Sequence, residues 1–214
     1  MSGIGIIDYG MGNLHSVKNA LDLLGAENFI SDDAGRLACT DGLILPGVGA
    51  FKDAADALKR TGLDVFIKEY VENKPMLGIC LGMQLLLDKS YEMGEWDGLG
   101  LIHGNVVHLG ASGASSEYKI PHMGWNSLEM LSASPLLEGV KNGDYVYFVH
   151  SYKAVPADRG ELIAVCDYGQ EIAAVIGGGN VFGTQFHPEK SGKIGLMILN
   201  NFLKLTKTRK AARS

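Results

Sequence analysis

A short apolar run, Pro75-Met76-Leu77, leads into Gly78-Ile79-Cys80-Leu81-Gly82, and helix-forming residues from Met83 to Lys89 follow. This order predicts a buried strand, a sharp turn and a helix, with a small residue on each side of a central nucleophile. It is a nucleophile elbow written with Cys in place of Ser. Such a turn lifts the sulfur clear of a sheet and sets it at a helix N-terminus, where the helix dipole favours the thiolate. The thiolate is the reactive form, and a free Cys, with a pKa of about 8.5, is mostly protonated at neutral pH. A buried Cys packed between two glycines would show the same five residues. The functional reading therefore depends on partners elsewhere in the chain.

A Cys nucleophile needs a base, and the base needs an orienting group. Phe186-His187-Pro188-Glu189-Lys190 supplies both, at the end of a segment that reads as strand, Gly-rich turn and strand from Ile172 to Phe186. His187 and Glu189 lie two apart. In extended backbone they point to the same side, so the carboxylate can hold the imidazole in its useful tautomer. Pro188 restricts the backbone between them and argues against a helix there. Acyl transfer also needs donors for a developing oxyanion. Gly42-Leu43-Ile44-Leu45 reads as a strand that runs into the loop Pro46-Gly47-Val48-Gly49, where the peptide N–H groups can approach a ligand closely. The same glycines allow a peptide of this loop to turn either a carbonyl or an N–H toward the oxyanion position.

Of the other histidines, His15, His103 and His108 have no evident partner and read as structural or surface groups. No Cys or His spacing resembles a metal site, and no cofactor is expected. The loop Gly10-Met11-Gly12-Asn13 lacks the third glycine of a dinucleotide fingerprint. Gly177-Gly178-Gly179 is not followed by the Lys and Ser/Thr of a phosphate loop.

The length, 214 residues, suits one large α/β domain, and no linker, repeat or low-complexity run divides it. We expect a single domain over residues 1–205 and a frayed basic tail over 206–214. A formal net charge of −5 argues against general nucleic-acid binding. The apolar runs are strand-length, which predicts no transmembrane helix, and the N-terminus lacks the pattern of a secretory signal. Three cysteines without framework spacing fit a reducing cytoplasm. Cys39 and Cys166 read as small buried hydrophobes.

The coarse pattern alternates strand and helix through about Gly100: a strand at Gly3 to Asp8, a helix from Leu14 to Leu24, and a strand near Phe29-Ile30. A strand at Gly42 to Leu45, a helix from about Ala54 to Glu72 and the elbow complete this part. That order predicts a mostly parallel sheet flanked by helices. Strand-like pieces then dominate, at Leu101-Ile102, Val106 to Leu109, Tyr145 to Val149 and Leu162 to Val165, followed by the hairpin. They predict an antiparallel portion in the C-terminal half, before a final helix from Ile194 to Leu205.

With Cys80, His187 and Glu189 in place, the chain resembles the class I, triad-type glutamine amidotransferases. The likeness extends to one group, the glutaminase subunits of imidazole glycerol phosphate synthases. It is carried by Ile7 to Leu14, Leu45 to Phe51, Gly78 to Gln84, Pro121-His122-Met123-Gly124-Trp125-Asn126, Phe148 to Tyr152 and Gly183 to Gly192. Met83 and the Pro121–Asn126 stretch are the most specific parts. Lys52 departs from the family, where a small residue is frequent, and Leu109 to Tyr118 reads as a loose Gly/Ser/Ala-rich segment.

The resemblance implies glutamine hydrolysis through a γ-glutamyl thioester on Cys80. His187 would move the proton and Glu189 would orient it. It implies backbone N–H groups of Val48 and Leu81 as the oxyanion hole, and Gly49, Gln84, Ser151 and Tyr152 as glutamine-binding residues. It also implies a (β/α)8-barrel cyclase partner in a heterodimer, with Trp125, Asn126 and Lys190 at or near the interface. The released ammonia would serve formation of imidazole glycerol phosphate and an aminoimidazole carboxamide ribonucleotide, in the cytoplasm. Other readings fit parts of the pattern: the same chemistry feeding another synthase, such as one for sugar amination; a non-catalytic binding subunit; or a Cys peptidase of related fold.

Overall fold

The structure, a computed structural model, describes residues 3–112 and 118–211. The chain opens with β1 (Ile4–Ile7), α1 (Leu14–Leu23), β2 (Asn28–Ser31), α2 (Ala34–Ala38) and β3 (Gly42–Gly47). Next come α3 (Phe51–Thr61), α4 (Leu63–Val71), β4 (Met76–Cys80) and α5 (Leu81–Gln84). Five strands follow: β5 (Lys89–Ser90), β6 (Trp96–Asp97), β7 (Gly104–His108), β8 (His122–Ser127) and β9 (Glu129–Met130). The last part holds β10 (Tyr145–His150), β11 (Tyr152–Pro156), β12 (Leu162–Asp167), β13 (Glu171–Gly178), β14 (Val181–Thr184) and α6 (Gly192–Ala211).

The expected α/β architecture is present. An eight-stranded sheet has the order β2-β1-β3-β4-β14-β13-β12-β9. β2, β1, β3, β4 and β14 run parallel, and β13, β12 and β9 extend the sheet in antiparallel fashion. β10 pairs with β8, and β11, β7, β5 and β6 form a further small sheet. The central strands are buried on both faces, which is why they read as continuous apolar runs. Along β3, Leu43 and Leu45 pack on one side with Phe51, Leu58 and Ile67 of α3 and α4. Ile44 points to the other side, among Val17 and Leu21 of α1 and Ile198 and Phe202 of α6. Each such fully buried Leu or Ile contributes roughly 1.5–3 kcal/mol relative to exposure.

The register places the site. Gly47 at the end of β3 lies opposite Cys80 at the end of β4, and Thr184 of β14 lies opposite Ile79. Three neighbouring strands therefore deliver their carboxyl ends to one edge, the usual ligand edge of a parallel sheet.

Several local expectations are corrected. The helix expected over 54–72 is two helices, because Gly62 adopts a left-handed φ of 71° and ends α3. The helix expected to run from the elbow to Lys89 is only α5. Beyond it, the carbonyls of Leu85, Leu86 and Leu87 accept from Leu99, Leu101 and Gly100, which diverts them from a helical ladder. Leu101-Ile102 is accordingly not a strand. Cys39 is exposed rather than buried, whereas Cys166 is buried, and burial pushes its thiol up to about 12. His103 does have a partner, the Asp88 carboxylate at 3.2 Å, on an exposed surface. The last helix continues past Leu205 to Ala211, and Thr206, expected in a frayed tail, is buried with its hydroxyl on the Leu203 carbonyl. Residues 113–117 of the loose 109–118 segment, and residues 212–214 of the tail, lie outside the described residues.

Candidate active site

Cys80 sits at the junction of β4 and α5 with φ 56° and ψ −109°. A non-glycine residue there carries strain of order 1–3 kcal/mol. The flanking glycines make the turn possible by close approach rather than by unusual φ. A Cβ on Gly78 would lie 2.6 Å from the Gly82 carbonyl oxygen, and one on Gly82 would collide with the Leu45 carbonyl. The sulfur is 3.8 Å from the Val149 carbonyl oxygen and 3.8 Å from Gln185 Nε2. α5 has only four residues, so the dipole support expected from a long helix is reduced to its first-turn N–H groups.

His187 follows β14, and its Nδ1 lies 2.8 Å from Glu189 Oε1 with both side chains buried. The pair is made differently from the expectation. Pro188–Lys190 form a 3-10 turn, not extended chain. Proline suits the first position of such a turn, where its missing N–H costs nothing. The turn is pinned by Ser191, whose hydroxyl donates to the His187 carbonyl at 2.6 Å and accepts from the Tyr147 N–H at 3.0 Å. Burial acts to lower the His187 pKa, but Cys80 and Glu189 together outweigh it and raise the pKa to about 9. The raised pKa favours the imidazolium, whose positive charge would lie beside the sulfur.

A cavity of about 410 Å³ opens over this array, a volume suited to a small metabolite. Cys80 and His187 are on its wall, and so are Val48, Leu81, Gly49, Gln84, Ser151 and Tyr152. All of the residues expected for the oxyanion and for substrate are thus brought together. Gly49 has φ 102°, a conformation that favours glycine. The preceding Pro46 carbonyl is tied down by the Tyr9 hydroxyl at 2.9 Å. Burial and the nearby Cys80 push the Tyr9 pKa upward, so it stays a proton donor. Trp125, Asn126 and Lys190 lie off the cavity. Trp125 is 55% exposed on β8, Lys190 is exposed beside Glu189, and Asn126 donates to the Asp167 carbonyl at 2.8 Å.

Two further groups stand on the cavity wall: Glu92, outside every segment that carries the resemblance, and His150, inside Phe148 to Tyr152. Glu92 lies in the β5–β6 connection, and its carboxylate accepts from the Phe51 N–H, at the start of α3, at 2.7 Å. His150 donates from Nδ1 to the Tyr152 carbonyl at 2.8 Å, so its Nε2 accepts from His122 Nδ1 at 3.0 Å. Burial lowers the pKa of His122 to about 4 and that of His150 to about 3, which keeps the pair neutral. Among the described residues, no group of three or more His, Cys, Asp or Glu is placed to hold a metal ion.

Comparison with known proteins agrees with this geometry. The family description "Glutamine amidotransferase class-I" matches residues 5–205. The imidazole glycerol phosphate synthase subunit HisH of Geobacillus kaustophilus is 55% identical over 202 residues, covering 94% of this chain and 95% of that protein. The HisH subunit of Caldanaerobacter subterraneus is 54% identical over 205 residues, covering 95% and 98%. Among solved structures, a putative GMP synthase protein from Thermoplasma acidophilum superposes with a TM-score of 0.74 at 21% identity. It covers 100% of this chain and 97% of that one, a likeness of fold. PurLQS from Thermotoga maritima gives 0.73 at 22% identity, covering 94% and 97%. An elbow cysteine, a buried His–Glu pair and this degree of identity lead to one conclusion: the chain belongs to the class I glutamine amidotransferase family, in the group of HisH subunits of imidazole glycerol phosphate synthase.

Proposed function

We propose that this chain hydrolyses glutamine to glutamate and ammonia and delivers the ammonia to a barrel cyclase subunit in histidine biosynthesis. The observation that carries the proposal is the buried Cys80–His187–Glu189 array, with Cys80 and His187 on the wall of a metabolite-sized cavity and Glu189 behind His187. The Cys80 sulfur attacks the side-chain amide carbon of glutamine. The C–N bond breaks, and the proton held on His187 leaves with the nitrogen as ammonia. His187 then takes a proton from water, whose oxygen attacks the thioester carbon, and returns it to the sulfur as glutamate departs. Glu189 holds the imidazole in register through Nδ1. The N–H groups of Val48 and Leu81 stabilise the oxyanion of each tetrahedral state. Gly49, Gln84, Ser151 and Tyr152 hold the amino-acid substrate, and the Glu92 carboxylate is the group on this wall suited to its α-ammonium.

The partner reading is supported by apolar side chains left exposed close to the site, Met123 at 65% and Trp125 at 55%. Trp125, Asn126 and Lys190 form this docking edge in a cytoplasmic heterodimer, and residues 1–205 act as one glutaminase domain. Glutamate release is measured with this chain alone, with a histidine-pathway cyclase, and with cyclase plus its nucleotide ligand. Strong stimulation by the full set, lost in Cys80→Ala, is the expected result. Activity that ignores the cyclase would place the same chemistry in another pathway.

A further inference from the structure

Gln185 lies between β14 and the catalytic turn, fully buried, with its backbone N–H on the Ala174 carbonyl at 2.9 Å. Its side-chain amide touches two groups of the site. One end is 3.1 Å from Gln84 Nε2 and the other is 3.8 Å from Cys80 Sγ. The orientation follows from a chain of constraints. Gln84 also contacts the Tyr152 carbonyl at 3.0 Å, which can only accept, so the Gln84 atom facing it is the amide nitrogen. That nitrogen needs an acceptor at its second contact, so Gln185 turns its oxygen to Gln84 and its NH2 to the sulfur.

The sulfur therefore sits between groups of opposite preference. The Val149 carbonyl accepts from a thiol and repels a thiolate. The Gln185 amide donates, and a donor favours the anion. The Gln185 contact is buried, where a hydrogen bond is poorly screened, whereas the Val149 contact is only partly buried.

We propose that Gln185 is a further catalytic residue, which donates to the Cys80 sulfur, stabilises the thiolate over the thiol and draws the sulfur off the Val149 carbonyl. The proton that leaves Sγ goes to His187, while Gln185 keeps both of its amide hydrogens. The titratable neighbours of the sulfur are His187 and Tyr9, with Glu189 acting on His187 and His187 in turn disfavouring charge on His150. Gln185 is uncharged, so its effect is independent of its own titration. The proposal rests on the reading of Cys80 as the nucleophile.

The test follows alkylation of Cys80 by iodoacetamide across pH, without glutamine, read peptide by peptide with exposed Cys39 as the internal reference. Gln185→Met keeps volume and removes the donor. Gln185→Asn keeps an amide that is one methylene short of the sulfur, and it carries the test if the Met variant fails to fold. Relative to Cys39, alkylation of Cys80 at neutral pH is expected to fall about tenfold in the Met variant, with its pH profile moved to the alkaline side. A smaller fall is expected in the Asn variant. Profiles that superimpose on the wild type in a folded variant would overturn the role of Gln185. Wild-type Cys80 that labels no faster than Cys39 would instead overturn the reading of Cys80 on which the proposal rests.

Discussion

His187 is pulled in two directions, and the balance sets how the site responds to pH. Burial alone would strip its proton, but the sulfur and the Glu189 carboxylate raise its pKa to about 9. The protonated form is the one that releases ammonia. Glutamate release by the complete enzyme is therefore expected to decline as pH rises through about 9. Glu189→Gln removes one of the two charges that hold the proton. The alkaline decline should begin at lower pH in that variant, and the maximal rate should fall by about a hundredfold or more. A pH–rate profile that Glu189→Gln leaves unmoved would show that the carboxylate does not tune the imidazole. Cys80, His187 and Glu189 were legible in the sequence because the chemistry demands those residue types in short, recognisable segments. Glu92 was not, because a lone carboxylate in a loop reaches the site only by tertiary folding. Gln185 stands inside the Gly183–Gly192 segment that carries the resemblance, but its contact with the sulfur is made by the fold and leaves no mark of a role in the sequence.

The elements carry the site through close approach. β4 and α5 meet at a turn so tight that Gly82 lies directly against the Leu45 carbonyl. Gly82→Ala is expected to force β3 and the elbow apart, displacing Cys80 from the cavity wall. Glutamate release should be lost, with a destabilisation on the order of 1–3 kcal/mol in urea denaturation. An active, equally stable variant would contradict the packing described for the elbow. The elements that were legible have local causes. Two-sided burial makes β3 and β4 apolar runs, and the Gly179-Asn180 turn ties β13 to β14. The misread ones are decided by distant groups. α5 stops early because the carbonyls of Leu85 to Leu87 serve residues 99–101, and the 3-10 turn at Pro188 forms where Ser191 closes it. Helix-forming side chains and a proline reveal neither of these partners.

At the scale of the whole molecule, the strand order joins segments far apart in the chain. The ends of β3, β4 and β14 lie side by side, and β10 and β11 bring Val149 to Tyr152 across them. The alternation of strands and helices foretold the mostly parallel sheet, but not which strands would be neighbours, because pairing over such separations leaves no local mark. The exposed edge of β8 gives the assembly its testable feature. Trp125→Ala should weaken association with the cyclase by about tenfold or more while leaving the basal turnover of the isolated chain unchanged, since Trp125 lines no part of the cavity. Unaltered binding by calorimetry would move the interface elsewhere. The central claim is that Cys80 forms a covalent acyl intermediate. It is tested most directly by acid-quenching the complete enzyme during glutamine turnover and reading the mass of the Cys80 peptide. The account predicts a γ-glutamyl adduct on that peptide, with both adduct and glutamate release abolished in Cys80→Ala. Undiminished glutamate release by Cys80→Ala, with no adduct in the wild type, would contradict it.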